Sequence, residues 1–431
     1  MGTSHLAIAE GNDYHFYGYT TSGVGYQPSL EITVPYNNIV IGANVTFGAL
    51  HSREFWYGAY DMPLEDGYND AWDEHDRRVF ASAYVQDTIS LFDNRLTITP
   101  GVKYLYAYTT DTDAIGFYYP YGGTTGNTTS FVSPTIGVNY KLTEQIAVYG
   151  AFGQSVKFPD ISAYYDSIPG TTGSPPPKIP PATVKPEHVN DYELGVRYQE
   201  GGLSTSLALY REDFTNTFID TFDPTDYLTI VTNGGSSRYQ GVEFQVRNDF
   251  GEQPWGDFTA KFNVAYNQAE FTSSFTSDYV GGEYDNSEAD FKVYAGEALQ
   301  DVPNWLISAV GVWSYQGWKV LGDVRYVGRQ FVDNYETGVT ASGVTIQPFT
   351  VVDLGASKTI QIKGWEGRPN TLTFALNVDN LFNEYYYNQM YQDTYEYYVN
   401  AAGVKGKYYD TYNEAAPGAP RSIVGTIDLK F

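Results

Sequence analysis

The chain contains no cysteine. That excludes a disulfide framework, thiolate metal sites and thiol catalysis. Basic residues are scarce as well, with 25 Lys and Arg against 51 Asp and Glu, a formal charge of -26. Such a balance repels a phosphate backbone, so nucleic acid is not an expected partner. No stretch approaches the roughly 18 consecutive apolar residues of a spanning helix. The opening segment MGTSHLAIAEGNDYHF has no basic region followed by an apolar core, so no signal peptide is read in it. The GxxxxGK[ST], HExxH and GxSxG motifs are missing too. The five histidines stand at 5, 15, 51, 75 and 188. His51 with Ser52, or His75 beside Asp73 and Asp76, comes nearest to a catalytic set. Neighbours on a strand point to opposite faces, so His51–Ser52 is poor geometry for proton transfer. No enzyme, catalytic residue, metal site or cofactor is therefore expected.

What the chain does have is aromatic residues at 17%, with 41 Tyr, together with 43 Gly. This usage suits many strands with aromatic belts rather than helices. Alternation recurs in segment after segment. In TLTFALNVDNLF, Leu372, Phe374, Leu376 and Val378 are apolar and their neighbours Thr371, Thr373, Asn377 and Asp379 are polar. DYELGVRY, GVEFQVRN and DFTAKFNVAYN repeat the pattern, with charges deep inside the polar face. The runs reach ten residues and more, near the 9–11 of a tilted transmembrane strand and beyond the usual soluble strand.

Strands are predicted at about 13–20, 28–35, 38–52, 78–91, 96–108, 130–140, 146–157, 189–198, 203–214, 230–248, 257–271, 303–314, 319–331, 346–361, 371–385 and 421–431. From the second onward, the links alternate between short, such as FDNR (92–95) and YQGW (315–318), and long. The long ones are 53–77, 109–129, 158–188, 215–229, 272–302, 332–345 and 386–420. Short turns at one rim and long loops at the other mark an antiparallel transmembrane β-barrel of outer-membrane type. The C-terminus is then expected at the short-turn, periplasmic rim, and the terminal Phe431 reads as the signal for the barrel assembly machinery.

Several segments, in order, resemble the TonB-dependent outer-membrane receptors. They are FASAYVQDTISLFDNRLTITPGVKY (80–104), SPTIGVNYKLTEQIAVYGAFGQSVKFPD (133–160), KPEHVNDYELGVRY (185–198), NGGSSRYQGVEFQV (233–246), NVDNLFNEYYY (377–387) and PGAPRSIVGTIDLKF (417–431). The resemblance implies a 22-stranded barrel filled by an N-terminal plug, through which TonB drives uptake of a scarce ligand. No segment here resembles the plug. With about 16 strands counted, residues 1–431 are read as the later part of such a barrel, without a plug domain. The family implies a ferric siderophore or other ferric chelate as cargo, with oligosaccharide or cobalamin as alternatives. A plugless fragment alternatively suggests a passive, porin-like pore. The expected surroundings are outer-membrane lipid and lipopolysaccharide.

Ligand contacts are expected at the long-loop mouth. Tyr391, Tyr395 and Tyr397, and Tyr118 and Tyr119, offer rigid amphipathic surface for a flat or cyclic ligand, or else pack their own loops. Tyr385, Tyr386 and Tyr387 read better as an interfacial girdle. Arg53, Arg78, Lys157, Arg238 and Arg329 are cations near outer strand ends, for an anionic chelate or for ordinary ion pairs with wall carboxylates. DMPLEDGYNDAWDEHD (61–76) holds seven carboxylates, a solvated acidic loop or a Ca²⁺ site without EF-hand spacing.

Overall fold

In the computed structural model, residues 2–10, 13–57, 69–114, 123–159, 184–223, 228–277, 291–332, 345–363, 369–399 and 405–430 are described. All regular structure among them is strand. The first group is β1 (Gly2–Glu10), β2 (Asp13–Tyr26), β3 (Ser29–Val34), β4 (Asn37–Tyr57), β5 (Asn69–Leu91), β6 (Leu96–Asp113) and β7 (Gly123–Lys141). Next come β8 (Ile146–Lys157), β9 (Glu187–Glu200), β10 (Leu203–Asp223), β11 (Leu228–Gln253) and β12 (Gly256–Phe271). Two short strands, β13 (Phe275–Ser277) and β14 (Phe291–Val293), precede β15 (Trp305–Tyr315) and β16 (Trp318–Val327). Then follow β17 (Gln330–Phe331), β18 (Thr345–Ile346), β19 (Phe349–Lys363), β20 (Pro369–Asp379), β21 (Tyr387–Val399), β22 (Lys405–Pro417) and β23 (Ser422–Lys430).

The wall is one 17-stranded antiparallel sheet whose strands follow one another in chain order, except that β2 pairs with β4 rather than with β3. β2 and β3 lie end to end along β4, with Tyr26 opposite Val45 and Ser29 opposite Gly42. They act as one strand broken at Gln27–Pro28, where proline cannot donate to the ladder. That leaves one wall position fewer, in line with the expected count of about 16. The agreement conceals two offsetting differences, since the sequence reading splits this strand and omits β1. Among the described residues, no ladder joins β23 to β1. β13–β14, β17–β18 and β21–β22 are separate two-stranded sheets.

The long links are shorter than expected because the ladders continue past the apolar belt. β10 and β11 stay paired up to Asp223 opposite Leu228, so most of 215–229 is strand. β4 and β5 stay paired up to Trp56 opposite Asn69. Much of the 386–420 link is the β21–β22 hairpin. These extensions mix apolar residues such as Phe55, Trp56, Phe218 and Ile219 with polar ones without a strict two-residue alternation, so periodicity does not reveal them.

Register divides the wall into two faces. Ile41, Val45 and Phe47 of β4 meet Val85, Ala81 and Val79 of β5 on one face. Val79 and Ala81 in turn meet Tyr108 and Tyr106 of β6. At the far end Phe374, Leu376 and Val378 meet Ile427, Gly425 and Ile423. This face is apolar and open: Val24 is 67% exposed, Leu194 60% and Ile427 71%. A soluble protein seldom leaves so large an apolar surface uncovered, whereas a barrel wall turns it to lipid. Aromatic groups edge it at both ends. Phe250, Trp255 and Phe258 pack near the short turns, and Tyr266 packs against Trp305 at 4.8 Å toward the other rim. Along β12, Phe258 and Tyr266 lie about 27 Å apart at ~3.4 Å per residue, close to the height of an outer-membrane apolar band.

The opposite face is polar and is built with glycines. Tyr84 lies over Gly42 and Tyr149 over Gly195, each glycine being its register partner. A Cβ on either glycine would stand 2.4–2.5 Å from the ring.

Candidate ligand-binding mouth

At the long-link rim of the polar face, β5 carries Glu74, Asp76, Arg78 and Phe80 in one row. The Arg78 guanidinium sits 4.3 Å above the Phe80 ring and donates from Nη2 to the Pro159 carbonyl at 2.8 Å. Phe158 packs on Phe80 at 6.2 Å between centroids, and both Phe158 and Pro159 are buried. The segment leaving β8 is thereby folded back onto the inside of the wall. Lys157, at the end of β8, lies over Phe218 at 5.3 Å.

Asp76 of this row and Asp111 on the adjoining stretch of β6 are both buried. Burial, with the Asp76 and Glu74 charges added to it, pushes the Asp111 carboxyl up to about 9. Asp111 therefore holds a proton at neutral pH and donates it to Asp76. The pair lies beyond the apolar belt, which ends on β5 where Val79 gives way to Arg77, His75 and Asp73.

A second organised element closes the rim at β20. Asn380 is buried and left-handed, with φ at 50°. Its backbone N–H donates to Asp353 Oδ1 at 2.8 Å, and its side-chain amide donates to the Glu384 and Ala419 carbonyls. Asn380 Oδ1 accepts from the Glu384 N–H, and Asn383 Oδ1 from the Arg421 N–H. NVDNLFNEYYY thus ties both ends of the β21–β22 hairpin to the wall. Tyr386 stacks on Phe349 at 4.3 Å, while Tyr385 is 73% exposed with its hydroxyl on Tyr387.

The expected cations separate by face. Arg78 and Lys157 stand in the polar row. Arg53 and Arg238 fall in the outer row with the apolar residues, by the register of β4–β5 and β11–β12. There Arg53 meets Asp73 at 3.5 Å, and Arg238 meets Asp213 at 2.8 Å and Glu270 at 3.8 Å. Arg329 lies past β16, exposed, over Phe331 at 5.5 Å. Tyr391, Tyr395 and Tyr397 have their backbone in β21, paired with Glu414, Asp410 and Tyr408. Tyr118, Tyr119 and Phe431 lie outside the described residues.

Sequence reasoning missed two arrangements at this rim. One is the Asp76–Asp111 pair. The other is a cluster on the outer face, where His51, Asp73 and His75 converge. Asp73 and His75 stand two apart on β5, but only the β4–β5–β6 register brings His51 to them and Asp111 to Asp76.

Comparison with known proteins decides the family. The family model described as TonB dependent receptor-like, beta-barrel, matches residues 3–381. The chain belongs to the TonB-dependent receptor barrel family. The metal-pseudopaline receptor CntO of Pseudomonas aeruginosa is 25% identical over 306 residues, 69% of this chain and 33% of that protein. A probable TonB-dependent siderophore receptor, PiuA of Acinetobacter baumannii, is 22% identical over 278 residues, 63% of this chain and 33% of its own. The chain therefore spans about a third of the length of the curated relatives it matches. Among solved structures, the unliganded ferric citrate transporter FecA superposes over 100% of this chain and 57% of its own, with TM-score 0.66 at 19% identity. The copper transporter OprC covers 97% and 57%, with TM-score 0.65 at 16% identity. These likenesses carry the fold. The exposed apolar face is accordingly the lipid side of an outer-membrane wall, and the polar face is its lumen side.

Proposed function

We propose that this chain is barrel wall of a receptor for TonB-energised uptake of a scarce metal chelate, with a ferric siderophore as the leading cargo. Membership of the receptor barrel family is the observation that carries the reading, and relatives named for metal-pseudopaline and siderophores narrow the cargo class. In this reading the long-link rim faces the outside and the C-terminus the periplasm. Phe431 serves assembly, and TonB acts through a plug that residues 1–431 do not include. Arg78 and Lys157 are the lumen-row cations suited to an anionic chelate, each lying over an aromatic ring. Tyr118, Tyr119, Tyr391, Tyr395 and Tyr397, with Arg329, would supply the rest of the mouth. Arg53 and Arg238 stand on the other face, so their part is to hold the rim by ion pairs.

The test is uptake of radiolabelled ferric siderophores by cells expressing the chain joined to its natural upstream sequence, in an outer membrane lacking other receptors. Accumulation that stops when the proton gradient is collapsed supports the reading. Gradient-independent entry of small solutes would instead favour the passive pore.

A further inference from the structure

The outer face of the rim holds a group of side chains that lumen binding does not use. His51 of β4 and His75 of β5 are direct register partners, and Arg53 is partnered with Asp73 one step further out. The two imidazoles stack, with centroids 4.1 Å apart and planes 15° from parallel. Stacking directs both Nε2 atoms to one carboxylate oxygen, Asp73 Oδ1, at 2.7 Å from His51 and 3.5 Å from His75. One donor atom from each of the three residues lies within 4.8 Å of the others. Arg53 Nε approaches the other oxygen, Oδ2, at 3.5 Å, which holds the carboxylate with Oδ1 toward the rings.

We infer that His51, Asp73 and His75 form a binding site for a divalent transition-metal ion of the zinc class on the outer wall of the rim. Two imidazoles and one carboxylate are a ligand set that zinc takes, with the fourth position left to water. Metal–ligand bonds of 2.0–2.2 Å put tetrahedral donors about 3.4 Å apart. The 2.7 and 3.5 Å separations to Asp73 Oδ1 bracket that value, and turning the two rings out of their stack would aim both Nε2 atoms at one ion. The ligands are half-exposed at 36% and 47% for the histidines, with Asp73 at 16%, which leaves an entry path for an ion. The chain's charge of -26 raises the local concentration of cations. Because the ligands come from two adjacent strands, a bound ion would clamp β4 to β5 just outside the apolar belt. The site is on the opposite face from Arg78 and Lys157, so it does not depend on the proposed cargo.

Zn²⁺ and Co²⁺ alone, without any chelator, are the probes for the full chain folded in detergent. One equivalent of Co²⁺ should give the visible d–d bands of a tetrahedral site, and one equivalent of Zn²⁺ should abolish them. His75→Gln and Asp73→Asn should each weaken Zn²⁺ binding at least tenfold, while His188→Gln leaves it unchanged. Zn²⁺ should raise the melting temperature of the unmodified chain and of His188→Gln, but not of the other two. Unchanged heat-modifiable gel mobility identifies folded variants; if one ligand variant misfolds, the other carries the test. Failure of the unmodified chain to bind one equivalent, or full-strength binding by a folded His75→Gln or Asp73→Asn, would overturn the site and leave a hydrogen-bonded His–Asp–His group.

Discussion

Tyr149 lies flat across Gly195, its register partner on the neighbouring strand, with the Arg197 guanidinium 3.9 Å above the same ring. Tyr149 also donates its hydroxyl to Glu193. One missing side chain therefore seats an aromatic ring, a cation and a carboxylate together on the lumen face. Gly195→Ala must push the ring away, since its Cβ would stand 2.5 Å from the ring. We expect a loss of about 1–3 kcal/mol, typical of overpacking, read from urea unfolding in detergent. Gly425→Ala is the counterpart, because nothing lies within 4 Å of its Cβ position. It should change stability by no more than about 0.5 kcal/mol.

The assignment of faces is open to a direct chemical test, since the chain has no cysteine to interfere. Single substitutions Leu376→Cys and Ile427→Cys should resist a membrane-impermeant maleimide in liposomes. Thr373→Cys and Thr426→Cys, on the other parity, should react. Equal labelling of both sets would mean that the apolar face is not in lipid.

Arg78 should anchor the segment that leaves β8. Its hydrogen bond to Pro159 and its place over Phe80 both vanish in Arg78→Ala. A reporter at Phe158→Cys should then label at least tenfold faster than with Arg78 intact. An unchanged rate would show that Arg78 does not hold the segment.

The proton on Asp111 makes rim stability depend on pH. A buried carboxyl raised to about 9 binds its proton in the folded chain and loses it near the usual carboxylate value of 3.8 when unfolded. Between those limits the folded state holds more protons, so this pair's contribution falls as pH rises and is lost at about 9. Asp111→Asn keeps a hydrogen-bond donor toward Asp76 without the proton. It should melt close to the unmodified chain at pH 5 and clearly higher at pH 9. A variant that melts in parallel with the unmodified chain at every pH would refute this account.

The sequence carries the wall plainly where lipid imposes it. Leu372, Phe374, Leu376 and Val378 alternate with polar neighbours because one side must be apolar and the other wet. Past the belt that requirement ends. TNTFIDTFD continues as strand but is read as loop, and Arg53 and Arg238 are read at the mouth although parity turns them outward. Pairing also depends on registers that cross long links. His51 and His75 become neighbours only once β4 and β5 are aligned residue by residue, and Asp76 finds Asp111 in the same way. Asn380 is the opposite case, since its local turn lies within the quoted family segment and its hydrogen bonds explain why that segment is legible.

The strand break at Gln27–Pro28 has a mechanical meaning. β2 and β3 share one register along β4, yet the joint between them contributes no ladder bond from the proline nitrogen. The Pro28 carbonyl still accepts from the Ala43 N–H at 3.0 Å, and β2 and β3 are each laddered to β4, so the wall is nicked at this point and not cut. Strain along this strand would gather at the one position that gives no N–H, leaving the ladders on either side intact.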